Sequence, residues 1–191
     1  RIHEYELDEL LELEINLTQA LFDMEREGFK IDLPYIESER DTIQKLEVRL
    51  KQQCYDIAHK EISKRLKAAK LIDVEYVDKL VEVLEFLEHG GMKKKVYKRT
   101  GEIKWSGEFD QFNAANPHFI KKIFPAMGLE STEKTDKGQD SWNKLALAGF
   151  EHPIAELVVR ARACDGMLRF YKQFLDNMDE NCVIHPSIQQ A

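Results

Sequence analysis

Two lysines, two hydroxyls and a glycine follow one another closely in a polar loop: Lys134, Thr135, Lys137, Gly138 and Ser141. Ammonium groups, hydroxyls and the bare backbone of a glycine are all donors that a phosphate oxygen can accept from. Just upstream, Asn116 is the N-cap of a short basic helix with Pro117 in its first position, running through Ile120, Lys121 and Lys122 to Gly128. Downstream, Asp140 or Ser141 caps a second helix start. A helix N-terminus offers free N–H groups and the positive end of its dipole, so residues 112–141 form a candidate surface for phosphate. The same residue types also build ordinary solvated loops, and at the level of residues alone both readings stand.

The elements that must hold this stretch are mostly helical. The chain has 191 residues, 43% hydrophobic and 33% charged, with five prolines, which suits one helix-rich domain with a real core. No apolar run approaches a membrane span and no signal peptide is read, so no membrane partner is expected and the location is expected to be cytoplasmic. Cys54, Cys164 and Cys182 are widely spaced and odd in number, which predicts free thiols in a reducing compartment. The histidines, scattered likewise, predict no metal site. Net charge is −7, which weighs against nucleic acid, but it is unevenly spread. Residues 1–50 carry −8, residues 51–122 carry +4 and residues 123–191 carry −3, so the middle of the chain is the basic part.

Taken in order, apolar residues from Leu7 to Met24 recur at helical spacing among carboxylates, and Gly28 ends that helix. Asp32, with Pro34 two residues on, starts a second helix carrying Ile36, Ile43, Leu46, Leu50, Cys54 and Ile57, with a continuation through Ile62 and Leu66. A third runs from Asp73 to His89 with Val74, Val77, Leu80, Val81, Leu84 and Leu87 as its stripe, and Gly90-Gly91 stops it. Residues 93–105 alternate as a β-hairpin with its turn near Thr100-Gly101. Its Lys93, Lys94, Lys95, Lys98, Arg99 and Lys104, interleaved with Tyr97 and Trp105, either contact nucleic acid or a partner, or decorate a hairpin whose aromatics pack on the helices. Residues 142–148 predict a short helix, Pro153 opens a long one to about Asn177, and residues 182–191 read as a strand.

Four of these stretches resemble the thumb region of a family A DNA polymerase, closer to the phage replicative type than to DNA polymerase I. The segment Met24-Glu25-Arg26-Glu27-Gly28-Phe29-Lys30-Ile31-Asp32 is similar to the turn that opens the polymerase part, after the exonuclease-like domain. The run Phe112-Asn113, then Ile120 with a lysine pair, then Thr135-Asp136-Lys137-Gly138, resembles the family's thumb motif. His152-Pro153-Ile154 followed by Arg162 is similar to a third family pattern, and Ile184-His185 with Ser187 and Gln190 to the strand that enters the palm.

The resemblance implies a mainly α fold: long antiparallel thumb helices with a small β-hairpin insertion and a C-terminal strand. It divides the chain into an N-terminal boundary helix (1–32), thumb helices (33–61 and 110–180), an insertion (62–109) and the first strand of a truncated palm (181–191). It implies binding of duplex primer-template DNA, with Asn113, Thr135, Lys137, Gly138, Ser141 and Arg162 carried over as contacts. Asn116, Lys134 and Arg169 join them: Asn116 stands where the family has a serine pattern, and Arg169 lies where later family lysines are replaced by Gly166 and Leu168. A processivity factor or another replication protein is the implied partner of residues 62–109. The polymerase's Mg2+ is held by palm carboxylates, and the D-Y-S-x-I-E, K-x-x-x-N-F-G and H-D-E motifs are all missing here, so the fragment is expected to bind DNA without cofactor or catalysis. The competing expectation is a helical adaptor that binds a protein partner and never touches nucleic acid.

Overall fold

Three helix starts are set by side chains that turn back onto the first turn. Asp32 Oδ1 accepts the Tyr35 N–H at 3.1 Å and opens α2 (Leu33–Ala69). Asp73 Oδ1 accepts the Tyr76 N–H at 3.2 Å and opens α3 (Val74–Glu88). Asn116 Oδ1 accepts the His118 N–H at 2.9 Å and, with Pro117, opens α4 (Pro117–Ala126). Each cap satisfies an N–H that the helix itself cannot, a contribution of about 1 kcal/mol. The structure, a computed structural model, describes residues 2–69, 73–97, 101–131, 133–134, 138 and 140–185, with backbone alone for residues 2–11. Among these residues the fold is mainly α, six helices and two two-stranded antiparallel sheets. No described helix is long and apolar enough to cross a membrane.

The chain forms two compact units, residues 42–167 and residues 1–41 with 168–191. The core belongs to the first. Leu50, Cys54, Ala58 and Ile62 come from α2, Leu80, Val83 and Leu87 from α3, and Phe119, Ile120, Ile123 and Phe124 from α4. Ile154, Val158 and Ala161, from α6 (Pro153–Asn177), complete it. On α3 the buried stripe is Leu80, Val83 and Leu87, whereas Val74 and Val81 of the sequence stripe stay exposed. Phe112 is fully buried and meets Phe119 edge to face at 5.0 Å, so the Phe-Asn turn is anchored by its aromatic ring. Burying such a ring contributes roughly 1.5–3 kcal/mol.

Gly91, at φ +76°, ends α3 where a Cβ would come 2.8 Å from the Phe119 ring. The chain then makes a hairpin of β2 (Lys93–Val96) and β3 (Ile103–Ser106), pairing Lys94 with Trp105 and Val96 with Ile103. The alternation read from the sequence is present, and Trp105 packs inward: its ring stacks on His89 with centroids 3.6 Å apart. Lys94 pairs with Glu85 and lies over the same indole at 5.9 Å. Lys98 and Arg99 lie outside the described residues.

In the second unit α1 (Ile2–Glu27) leads into β1 (Phe29–Lys30), which pairs with β4 (Val183–Ile184). Asp179 shapes the approach to β4: its Oδ1 accepts the Val183 N–H at 2.8 Å and the Asn181 N–H at 2.9 Å. The Val183 N–H above all, then that of Asn181 and the nearby His185, hold the Asp179 carboxyl below its ordinary value of 3.8. A depressed carboxylate stabilises the fold above its unfolded pKa, and that stabilisation is lost as pH falls through the folded one. Amide exchange at Val183 should therefore accelerate on acidification from about pH 5 to about pH 2 relative to the core of residues 42–167. Asp179→Asn, which keeps an oxygen acceptor but does not titrate, should flatten that difference; an unchanged profile in the variant would assign the opening to another group.

Candidate nucleic-acid interface

The turn before α4 is a relay of amides. Asp110 receives Lys51 at 2.9 Å and accepts the Phe112 N–H at 3.3 Å, fixing the entry. Lys51 also meets Glu47 at 3.0 Å; burial alone would lower its pKa, but the two carboxylates outweigh that and raise it. Asn113 Oδ1 then accepts the Asn116 N–H at 2.9 Å, and Asn116 in turn caps His118. Phe119 N–H is also satisfied, by Asn116 O at 3.1 Å. The start of α4 is thus closed by its own side chains, whereas the sequence reading treats these N–H groups as open to phosphate.

The second helix start also differs. Neither Asp140 nor Ser141 is its cap: Asn143 Oδ1 accepts the Ala146 N–H at 2.8 Å and opens α5 (Lys144–Ala148). The helix is correspondingly shorter than residues 142–148. The cause is a β-like bridge between Lys134 and Asp140, whose side chains also form an ion pair. Ser141 is buried beside it, donating its N–H to Glu133 O at 2.9 Å while its carbonyl accepts from Ser131 Oγ. The strand-like path keeps Trp142 out of the helix and presses its indole edge to face on Phe124 at 5.1 Å and parallel to Phe150 at 5.8 Å. Among the described residues its buried Nε1 has no hydrogen-bond partner. A buried donor left so costs about 1–3 kcal/mol.

Arg162 joins the two segments. From α6 its Nε donates to Ala114 O at 2.7 Å and its Nη1 to Trp142 O at 2.6 Å. The half-buried guanidinium has its pKa lowered by desolvation, yet arginine stays charged in proteins. Sequence reasoning offers it as a phosphate ligand; here two of its donors hold backbone carbonyls.

Around this strap lies a groove of about 460 Å³. Pro117, His118 and Lys121 of α4 form one wall, the chain from Asp140 to Asn143 the other, and Arg162 also lines it. Of the sequence candidates, Ser141 and Arg162 line this groove, and Asn113 and Asn116 fix the helix that walls it. His118, Lys121 and Asn143 are absent from that set. Their signal is the spacing from Pro117, which turns His118 and Lys121 to one side, while Lys122 faces α3, pairing with Glu82 at 2.6 Å and covering Phe86 at 4.6 Å.

The remaining candidates lie elsewhere. Gly138 has φ +73° and open space where a Cβ would point, so its backbone conformation is the demand. Thr135 and Lys137 lie outside the described residues. Arg169 is exposed on α6 in the other unit. On the hairpin Lys95 stands directly opposite Lys104, with exposed Lys93 on the same face and Lys104 over Tyr97 at 5.3 Å. Like charges so placed cost a few tenths of a kcal/mol, which Glu102, 3.6 Å from the Lys104 ammonium, partly offsets. Among the described residues no cluster of three or more His, Cys, Asp or Glu is placed to hold a metal ion.

Arg162→Ala removes the partner of two carbonyls at once and should lower stability by about 2–4 kcal/mol, read from urea unfolding. Arg162→Lys, with one ammonium in place of a planar fork, should recover only part of it. A fully stable Arg162→Ala would show that the strap is not needed. Compared with protein-family models, curated proteins and solved structures, the chain has no significant match to any.

Proposed function

We propose that the chain is the thumb region of a family A DNA-directed DNA polymerase, gripping duplex primer-template DNA through phosphate and minor-groove contacts in replication. The observation that carries this reading is that Ser141 and Arg162, which follow Phe112-Asn113 in family order along the chain, line one groove, while Asn113 fixes the start of the helix that walls it. Charge supports it. Residues 42–167 hold 22 basic and 19 acidic residues, net +3, whereas residues 1–41 and 168–191 hold 6 and 16, net −10. The groove and the lysine face of the hairpin both belong to the positive unit, where a polyanion is tolerated. On this reading the palm and its Mg2+ belong to further sequence of the parent enzyme, which works in the cytoplasm of a bacterium or an infected host.

A second reading has one observation in its favour. Val96 and Ile103 are an exposed cross-strand pair, 58% and 50% accessible, on a two-stranded ribbon with open edges. Such a ribbon suits a protein partner, whether a replication factor on a polymerase or the target of a helical adaptor.

The two readings separate in fluorescence anisotropy with a labelled primer-template. The thumb reading expects binding that weakens steeply with salt, on the non-specific scale of about 10⁻⁴–10⁻⁶ M. Lys121→Ala combined with Lys137→Ala should reduce the logarithmic salt slope by about two. Absence of binding at low salt, or binding indifferent to salt, would favour the adaptor.

A further inference from the structure

The long helix α2 buries Leu50, Cys54, Ala58 and Ile62 on its inner side. On its outer side Lys45, Arg49, Lys60, Lys64 and Lys67 are all exposed. Their spacings of four, eleven, four and three residues keep them within about 100° around the helix, in one stripe about 33 Å long. Among the described residues none of the five forms an ion pair, whereas Lys51, Lys94, Lys122 and Lys134 each do. Asp56 is the one carboxylate on the stripe, and Gln52, on its flank, donates to it at 2.7 Å. Lys45 with Arg49, Lys60 with Lys64 and Lys64 with Lys67 are like charges on adjacent turns, a repulsion that this single carboxylate offsets only in part.

We infer that this face of α2 is a second nucleic-acid contact, a track for the phosphates of a duplex that is separate from the groove and does not rest on it. Composition selects the occupant. Between the cations lie Gln53, Asp56 and Ser63, and the stripe exposes no large apolar side chain. Neither a folded protein surface, the parent enzyme's own included, nor a membrane would gain apolar burial there. The stripe also lacks an aromatic ring on which unpaired bases could stack, which favours a duplex over a single strand. What it presents is positive charge along a line, and about 33 Å matches roughly ten phosphate steps of one strand at 3.4 Å each. The unit that carries it is net +3, so no surrounding excess of acid opposes a polyanion.

The test is fluorescence anisotropy of a labelled blunt duplex against the whole chain, titrated with salt. Lys45→Gln, Lys60→Gln and Lys67→Gln together should weaken binding by about tenfold at low salt and reduce the logarithmic salt slope by about three. Lys30→Gln, Lys79→Gln and Lys172→Gln remove the same charge from exposed lysines elsewhere and should leave the slope unchanged. All six positions are exposed, so thermal unfolding of both variants should stay close to wild type. Added to His118→Ala and Lys121→Ala, the stripe substitutions should still take about three from the slope, so the groove and the stripe can fail separately. An unchanged slope in the stripe variant, or equal losses in the stripe and control variants, would overturn the assignment. So would a polyglutamate peptide that binds the stripe as tightly as the duplex at equal charge, because the surface would then suit an acidic protein.

Discussion

One guanidinium closes the region on which function is argued. Ala114 O and Trp142 O belong to segments far apart in the chain, and Arg162 binds both within 2.7 Å. Those segments are the amide relay that starts α4 and the strand-like run that ends at Asn143, and between them lies the groove. The arginine is held up by the buried turns of α6 around Val158 and Ala161, so the groove's width is tied to the core. A lysine in its place could reach one carbonyl but not hold the pair in a fixed plane. This is a positioning role; on the proposed function, contacts with a nucleic acid would fall to side chains around it, His118 and Lys121 among them.

Charge is divided in the same way as structure. The unit that contains the groove and the hairpin is mildly basic, and the unit that contains α1 is strongly acidic. A net charge of −7 averages two units of opposite sign. Within the basic unit many cations are already matched: Lys51 with Asp110, Lys94 with Glu85, Lys122 with Glu82 and Lys134 with Asp140. Surface pairs of this kind contribute little, about 0–1 kcal/mol, and are loosened by salt. On the hairpin Lys95 faces Lys104 across the ladder, and Glu102, 3.6 Å from the Lys104 ammonium, offsets that repulsion.

Much of the fold was legible because its punctuation is local. Asp32, Asp73 and Asn116 cap helices by reaching two or three residues ahead, and Gly90-Gly91 stops α3 through backbone conformations that other residues resist. The hairpin's alternation is equally local. The misread helix start at Asp140 or Ser141 failed because its cause is tertiary: the bridge from Lys134 to Asp140 fixes the chain as extended until Asn143. Arg162 was legible as important but not in its role, since nothing in its neighbours along the helix announces two carbonyls arriving from other segments. The groove's chemistry was half visible: the lysine pair at 121–122 is plain, but only the packing of α4 on α3 sends Lys122 to Glu82 and leaves Lys121 on the groove.

The central claim is that a duplex lies along the groove between α4 and Asn143. The most direct measurement is chemical-shift mapping by NMR as a short blunt duplex is titrated into the labelled chain at low salt. The account predicts graded shifts at the amides of Asn116, His118, Lys121, Ser141 and Asn143, with residues 12–27 of α1 unmoved. Shifts confined to α1, or none near the groove while the duplex binds, would contradict it.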